Sequence, residues 1–135
     1  MSAALSTHQL SKDYGDRPAL FPLDLEVPKG QHVALVGHNG SGKTTLLRMA
    51  AGLLDNSGGE ARIAGHLAGT QPARTALSWL SDTPTFYDDL SLWEHLEYIS
   101  RMHGGSGDDP FLMELLERLG VDDRKDHLPS QFSRG

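Results

Sequence analysis

The stretch Gly37-His38-Asn39-Gly40-Ser41-Gly42-Lys43-Thr44-Thr45 decides how the rest of the chain is read. Upstream, His32-Val33-Ala34-Leu35-Val36 is a short apolar run, expected to be a buried strand. Downstream, Leu46-Leu47-Arg48-Met49-Ala50-Ala51-Gly52 reads as a helix closed by glycine. The pattern G-x-x-x-x-G-K-T between strand and helix predicts a phosphate-binding loop. Its glycines let the backbone adopt positive φ and bring N–H groups close to an anion. The helix that starts there points its positive end at the same place. Lys43 is expected to reach the β- and γ-phosphates, and the Thr44 hydroxyl to hold Mg²⁺. A glycine-rich turn without a ligand would not require Lys43 and Thr44 beside it.

The 135 residues suffice for one ordinary domain, and 38% hydrophobic with 22% charged residues is a globular composition. There is no cysteine, which excludes a disulfide framework and thiol chemistry and suits the cytoplasm. Met1 to Thr7 lacks the basic and apolar regions of a signal peptide, and no apolar stretch approaches bilayer-spanning length. The net charge is −6, with most of the acidic excess after residue 60 and no basic face, so nucleic acid is not an expected partner.

From the N-terminus, His8 to Tyr14 begins as a strand and ends in the turn Tyr14-Gly15-Asp16-Arg17-Pro18. Leu23 to Val27 alternates apolar and polar, as in an antiparallel strand with one covered face. Asn56 to Gly59 reads as a turn, Glu60 to Gly65 as a short strand, Gly69 to Arg74 as a loop, and Ala76 to Leu80 as another apolar strand. The period then becomes helical. Ser91-Leu92-Trp93-Glu94 is a capping box, and Leu92, His95, Leu96, Ile99 and Met102 share a helix face. Gly104 to Gly107 breaks that helix. Asp109-Pro110 opens the next, Phe111, Leu112, Leu115, Leu116 and Leu119 form its apolar stripe, and Gly120 ends it. The seven histidines are scattered and form no H-E-x-x-H pattern, so no metal cluster is expected of them. The fold class expected is α/β: an incomplete P-loop NTPase core with an antiparallel β flap and part of a helical subdomain.

The spacing of three further features resembles the ATP-binding subunit of ABC transporters over nearly the whole chain, from about Leu5 to Gly135. The first is Leu10-Ser11-Lys12-Asp13-Tyr14-Gly15. The resemblance implies that Tyr14 stacks on adenine, whereas the residue by itself reads more readily as a tyrosine packed at a strand end. The second is the segment from Leu77 to Leu96, where the family usually carries a glutamine that touches Mg²⁺ and the attacking water. Asp82 stands there. A carboxylate is a good Mg²⁺ ligand but has no amide donor, and an aspartate in a proline-bounded turn is an equal reading. The third is Phe132-Ser133-Arg134-Gly135, which resembles the start of the signature L-S-G-G-Q with arginine for its first glycine. It implies that Ser133 and Gly135 bind the γ-phosphate of ATP held by an opposite subunit.

Residues 1–135 are therefore expected to be one partial ABC-type domain. Residues 1–90 form the β flap and P-loop core, and 91–135 the helical subdomain up to the signature. The resemblance implies ATP and Mg²⁺ as cofactors, with Gly37, His38, Asn39, Gly40, Ser41, Gly42, Lys43, Thr44 and Thr45 around the phosphates and Asp82 with Thr44 at the metal. It implies a transmembrane permease subunit and a second ATP-binding subunit, head to tail, as partners, and a cytoplasmic location at the inner face of the cell membrane. The family's Mg²⁺-ordering aspartate, catalytic glutamate and sensor histidine have no counterpart here. Phosphoryl transfer needs a positioned water as well as a held phosphate, so poor hydrolysis is expected of this chain alone. The absent strand is also expected to leave Val33 to Val36 at an open sheet edge. A non-catalytic nucleotide-binding fragment and a non-transporter ABC-type ATPase are the alternative readings.

Overall fold

The computed structural model describes residues 3–133 in two units, one up to Leu80 and one from Ser81 on. In the first unit, β1 (Leu5–Asp13) pairs antiparallel with β2 (Pro18–Val27) on one side and with β3 (Gly58–Ile63) on the other. A two-residue strand, β4 (His66–Leu67), pairs with β3, giving the order β2-β1-β3-β4. β1 begins earlier than its polar start suggests, because Leu5 to Thr7 lies between two partners. Its ladder shifts register after Thr7, where Gln9 adopts φ 46°. The Gln9 backbone N–H and side-chain amide donate to the two carboxylate oxygens of Asp24 at 2.7 and 2.6 Å. Those bonds hold the Asp24 carboxyl below its ordinary range.

The helix α1 (Lys43–Ala50) lies on this sheet. Leu46 and Met49 are one turn apart and pack with Leu10 of β1 and Ala61 of β3 in a buried cluster. Leu20, Leu23 and Leu25 of β2 close its side, the last two as their alternation predicts and Leu20 across a shift in the β1–β2 register.

Three expectations need correction. His32 to Val36 is not a buried strand. It pairs with no strand among the described residues, and all five residues are exposed, Val36 to 89%. A strand of any apolarity needs a neighbour to share its N–H and C=O groups, and none is supplied here. For the same reason Ala76 to Leu80 forms no strand, and Leu80 is 92% exposed. Residues 69–74 are not all loop: α2 (Gln71–Thr75) occupies most of them, with Thr70 before it, Pro72 in its first turn and Ala73 buried. The polar surface of this helix hid it, because a single small residue anchors it.

In the second unit both helices stand where the sequence places them, but no residue of the stripe from Leu92 to Met102 is buried, and Ile99 and Met102 are exposed. α3 (Leu92–Met102) starts with a complete capping box: Glu94 N–H donates to Ser91 Oγ at 3.2 Å, and Ser91 N–H donates to Glu94 Oε2 at 2.7 Å. α4 (Pro110–Leu119) starts at Asp109, whose carboxylate accepts from the Phe111 N–H at 3.0 Å, and ends at Gly120. Of its apolar stripe, Leu112 and Leu116 are buried, whereas Phe111 and Leu119 are exposed. The N–H groups of Leu92 and Trp93 donate to the carbonyls of His127 and Lys125, tying the start of α3 to the tail.

Candidate functional site

The loop 37–42 rises into α1 without a side-chain cap. Gly42 occupies the cap position with φ 98°, and Gly40 has φ 85°. A Cβ on Gly42 would stand 2.7 Å from the Ala19 carbonyl and 3.2 Å from Leu20 Cδ1, so β2 closes the space behind it. Gly42 is thus required twice, by its backbone angle and by its neighbour. The first-turn N–H groups of α1 have no partner within the helix, and a helix start of this kind suits an anion.

The Lys43 side chain turns back over the loop. Its ammonium donates to the carbonyls of Gly37 and His38, the latter at 2.8 Å, and to Ser41 Oγ at 3.2 Å. The Ser41 N–H donates to the His38 carbonyl at 3.2 Å, and His38 Nδ1 meets the Asn39 carbonyl at 2.9 Å. The loop is therefore a closed ring of backbone with one cation across its mouth. Thr44 is exposed and Thr45 half-buried on the first turn of the helix.

Tyr14 stands just past β1, on the turn into β2, and is 63% exposed. Lys12 is the strand partner of Leu20, and Leu20 touches the space behind Gly42. The β1–β2 hairpin end that carries Tyr14 is thus the one that backs the loop. Sequence reading singled out Tyr14 and the loop but missed Lys12, Ala19 and Leu20. A signal for Lys12 was present, since residues two apart near a strand share a face.

In the second unit, Asp82 and Ser133 are both exposed and line one cavity of about 710 Å³ with Phe86, His95, His127 and Phe132. Ser81 Oγ lies 3.4 Å from an Asp82 carboxylate oxygen and accepts the Thr83 N–H at 3.2 Å, so the turn holds Asp82. The Phe132 ring packs edge-on to His127 at 6.0 Å. Gly135 lies outside the described residues.

Residues 20–135 match the family described as ABC transporter. The chain belongs to the ABC transporter family. It is 36% identical over 114 residues to the uncharacterized ABC transporter ATP-binding protein YdbJ of Bacillus subtilis (strain 168), covering 83% of this chain and 37% of that protein. It is 35% identical over 133 residues to the aliphatic sulfonates import ATP-binding protein SsuB 2 of Pseudomonas fluorescens, covering 97% and 47%. It is 39% identical over 101 residues to the cytochrome c biogenesis ATP-binding export protein CcmA of Xylella fastidiosa (strain Temecula1), covering 74% and 47%. The solved structure of an ATP-binding subunit of an ABC transporter superimposes with a TM-score of 0.80 at 28% identity, covering 97% of this chain and 56% of that one. This ABC transporter family chain spans about half the length of the relatives it matches, and it carries a partial P-loop NTPase fold with an antiparallel sheet. No helix among its described residues is long and apolar enough to cross a membrane.

Proposed function

We propose that this chain is the nucleotide-holding part of an ATP-binding subunit that powers transport across a membrane. The observation that supports it best is the Lys43 ammonium held over the loop by the carbonyls of Gly37 and His38, at the start of α1. A triphosphate is the anion that suits this arrangement. The ammonium exchanges its carbonyl partners for phosphate oxygens, which form stronger, charge-assisted bonds. Gly37 to Thr45 surround the phosphates, and the exposed Thr44 hydroxyl is a ligand for Mg²⁺. Mg²⁺ held there would offset the negative charge of the phosphates. Tyr14 offers a ring face to the adenine.

In the second unit, Asp82 is proposed as the residue that approaches the metal. Ser133 and Gly135 are proposed to face the ATP of a second ATP-binding subunit arranged head to tail. A transmembrane permease subunit is the further partner, which places the protein in the cytoplasm at the inner face of the membrane. The relatives named above include both import and export proteins, so neither substrate nor direction is part of the proposal.

Titration of the 135-residue chain with ATP and Mg²⁺, followed by phosphate release, tests this reading. Saturable ATP binding with little turnover is expected, and Lys43→Ala should abolish the binding. Unchanged affinity in that variant would sink the assignment of the loop.

A further inference from the structure

Lys12 lies two residues before Tyr14, and its ammonium sits 5.0 Å from the centroid of the Tyr14 ring. The same ammonium donates to the Asp55 carbonyl at 2.6 Å. It is thus tethered at a fixed place rather than sweeping through solvent. A cation within about 6 Å of an aromatic face is attracted by the ring quadrupole. One face of Tyr14 is therefore taken, and most of the remaining ring is open. A cation on one face draws π-density toward itself, which makes the opposite face a better stacking partner for an electron-rich ring. Lys12 is also the strand partner of Leu20, which backs Gly42 in the loop. Cation, ring and loop are thereby fixed to one hairpin end.

We infer that Lys12 is a positioning residue for the nucleotide base. It holds Tyr14 by one face, so that the other face receives the purine of a nucleoside triphosphate whose phosphates lie in the Gly37–Thr45 loop. This inference rests on the proposed function. Lys12 touches neither base nor phosphate in this role. It orients the ring through the cation–π contact and is itself oriented by Asp55.

The test separates base from phosphate. Affinities of the 135-residue chain for ATP and for inorganic tripolyphosphate are measured side by side in the wild type, Lys12→Met, Lys12→Arg and Tyr14→Ala. Methionine keeps the length and apolar stem of lysine without its charge. Lys12→Met should weaken ATP by about threefold, the scale of an exposed cation–π contact, and leave tripolyphosphate unchanged. Lys12→Arg should restore ATP affinity. Tyr14→Ala should weaken ATP about tenfold or more, the scale of base stacking, again without effect on tripolyphosphate. If Tyr14→Ala weakens ATP and Lys12→Met does not, the role of Lys12 is overturned while that of Tyr14 stands. Equal losses for both ligands in Lys12→Met would make it a simple attracting charge and also overturn the inference. A wild type that binds neither ligand would instead overturn the proposed function.

Discussion

The backbone N–H of Tyr87 donates to Nε2 of His95 at 3.0 Å, while Nδ1 of the same ring meets the Ser91 carbonyl at 2.8 Å. The two bonds define the tautomer. Nε2 must be bare to accept, and Nδ1 must carry the proton to donate. The ring also receives an edge contact from Phe86, with centroids 5.6 Å apart. His95 therefore fastens the segment after Asp82 to α3.

This arrangement predicts which substitutions loosen the segment. His95→Ala removes the acceptor of the Tyr87 N–H, so Tyr87 amide protection against hydrogen exchange should fall about fivefold, the scale of one lost hydrogen bond. His95→Gln supplies an uncharged acceptor at a similar reach and should keep most of that protection. Equal protection in the wild type and His95→Ala would refute the fastening.

Gly42→Ala should be costly. The left-handed angle alone costs an L-residue roughly 1–2 kcal/mol, and the new methyl would press on the Ala19 carbonyl, which is backbone and cannot swing away. Urea unfolding should show a loss of about 2 kcal/mol. A loss under about 0.5 kcal/mol would mean that the hairpin yields readily behind the loop.

Leu116 is 2% exposed and Leu119 is 66% exposed, although both belong to one apolar stripe of α4. Leu116→Ala should destabilise the second unit by about 2–5 kcal/mol. Leu119→Ala should change stability by no more than about 0.5 kcal/mol. Similar effects from the two, measured by thermal or denaturant unfolding, would contradict the packing described.

The capping box of α3 carries a pH signature of known sign. Bonds from Ser91, its backbone N–H first, hold the Glu94 carboxyl below the ordinary glutamate value of 4.5. Its contribution is therefore fully present above that value and fades as pH falls through the lowered one. Melting curves of the wild type and Glu94→Gln should differ most near neutrality and converge in acid. Ser91→Ala, which removes the cap itself, should cost about 1 kcal/mol.

What was legible in the sequence was whatever depends on near neighbours. The caps of α3 and α4 and the stop at Gly120 are set within four residues, and each stands where the sequence places it, whereas α1 starts at Lys43, three residues before the run that reads as helix. The strand-like runs His32 to Val36 and Ala76 to Leu80 failed because strand formation depends on a second segment, which apolarity cannot report. α2 was missed because Ala73, its buried anchor, gives no periodic signal. The cluster of Leu10, Leu46, Met49 and Ala61 was half visible: each residue reads as apolar, but their meeting depends on how α1 lies across the sheet. The spacing of Lys12 and Tyr14 puts them on one strand face, but a lysine two residues from a tyrosine is ordinary until its ammonium is found over the ring.

Val33, Leu35, Val36, Trp79 and Leu80 leave apolar side chains in water, and the backbone of those runs has no ladder partner among the described residues. Such runs are templates for any extended chain, including another molecule of the same kind. The behaviour of this polypeptide in solution is therefore governed by how often molecules meet. Dilution should preserve it when added folding stability does not, and its scattering should rise with concentration well below the temperature at which α3 and α4 melt.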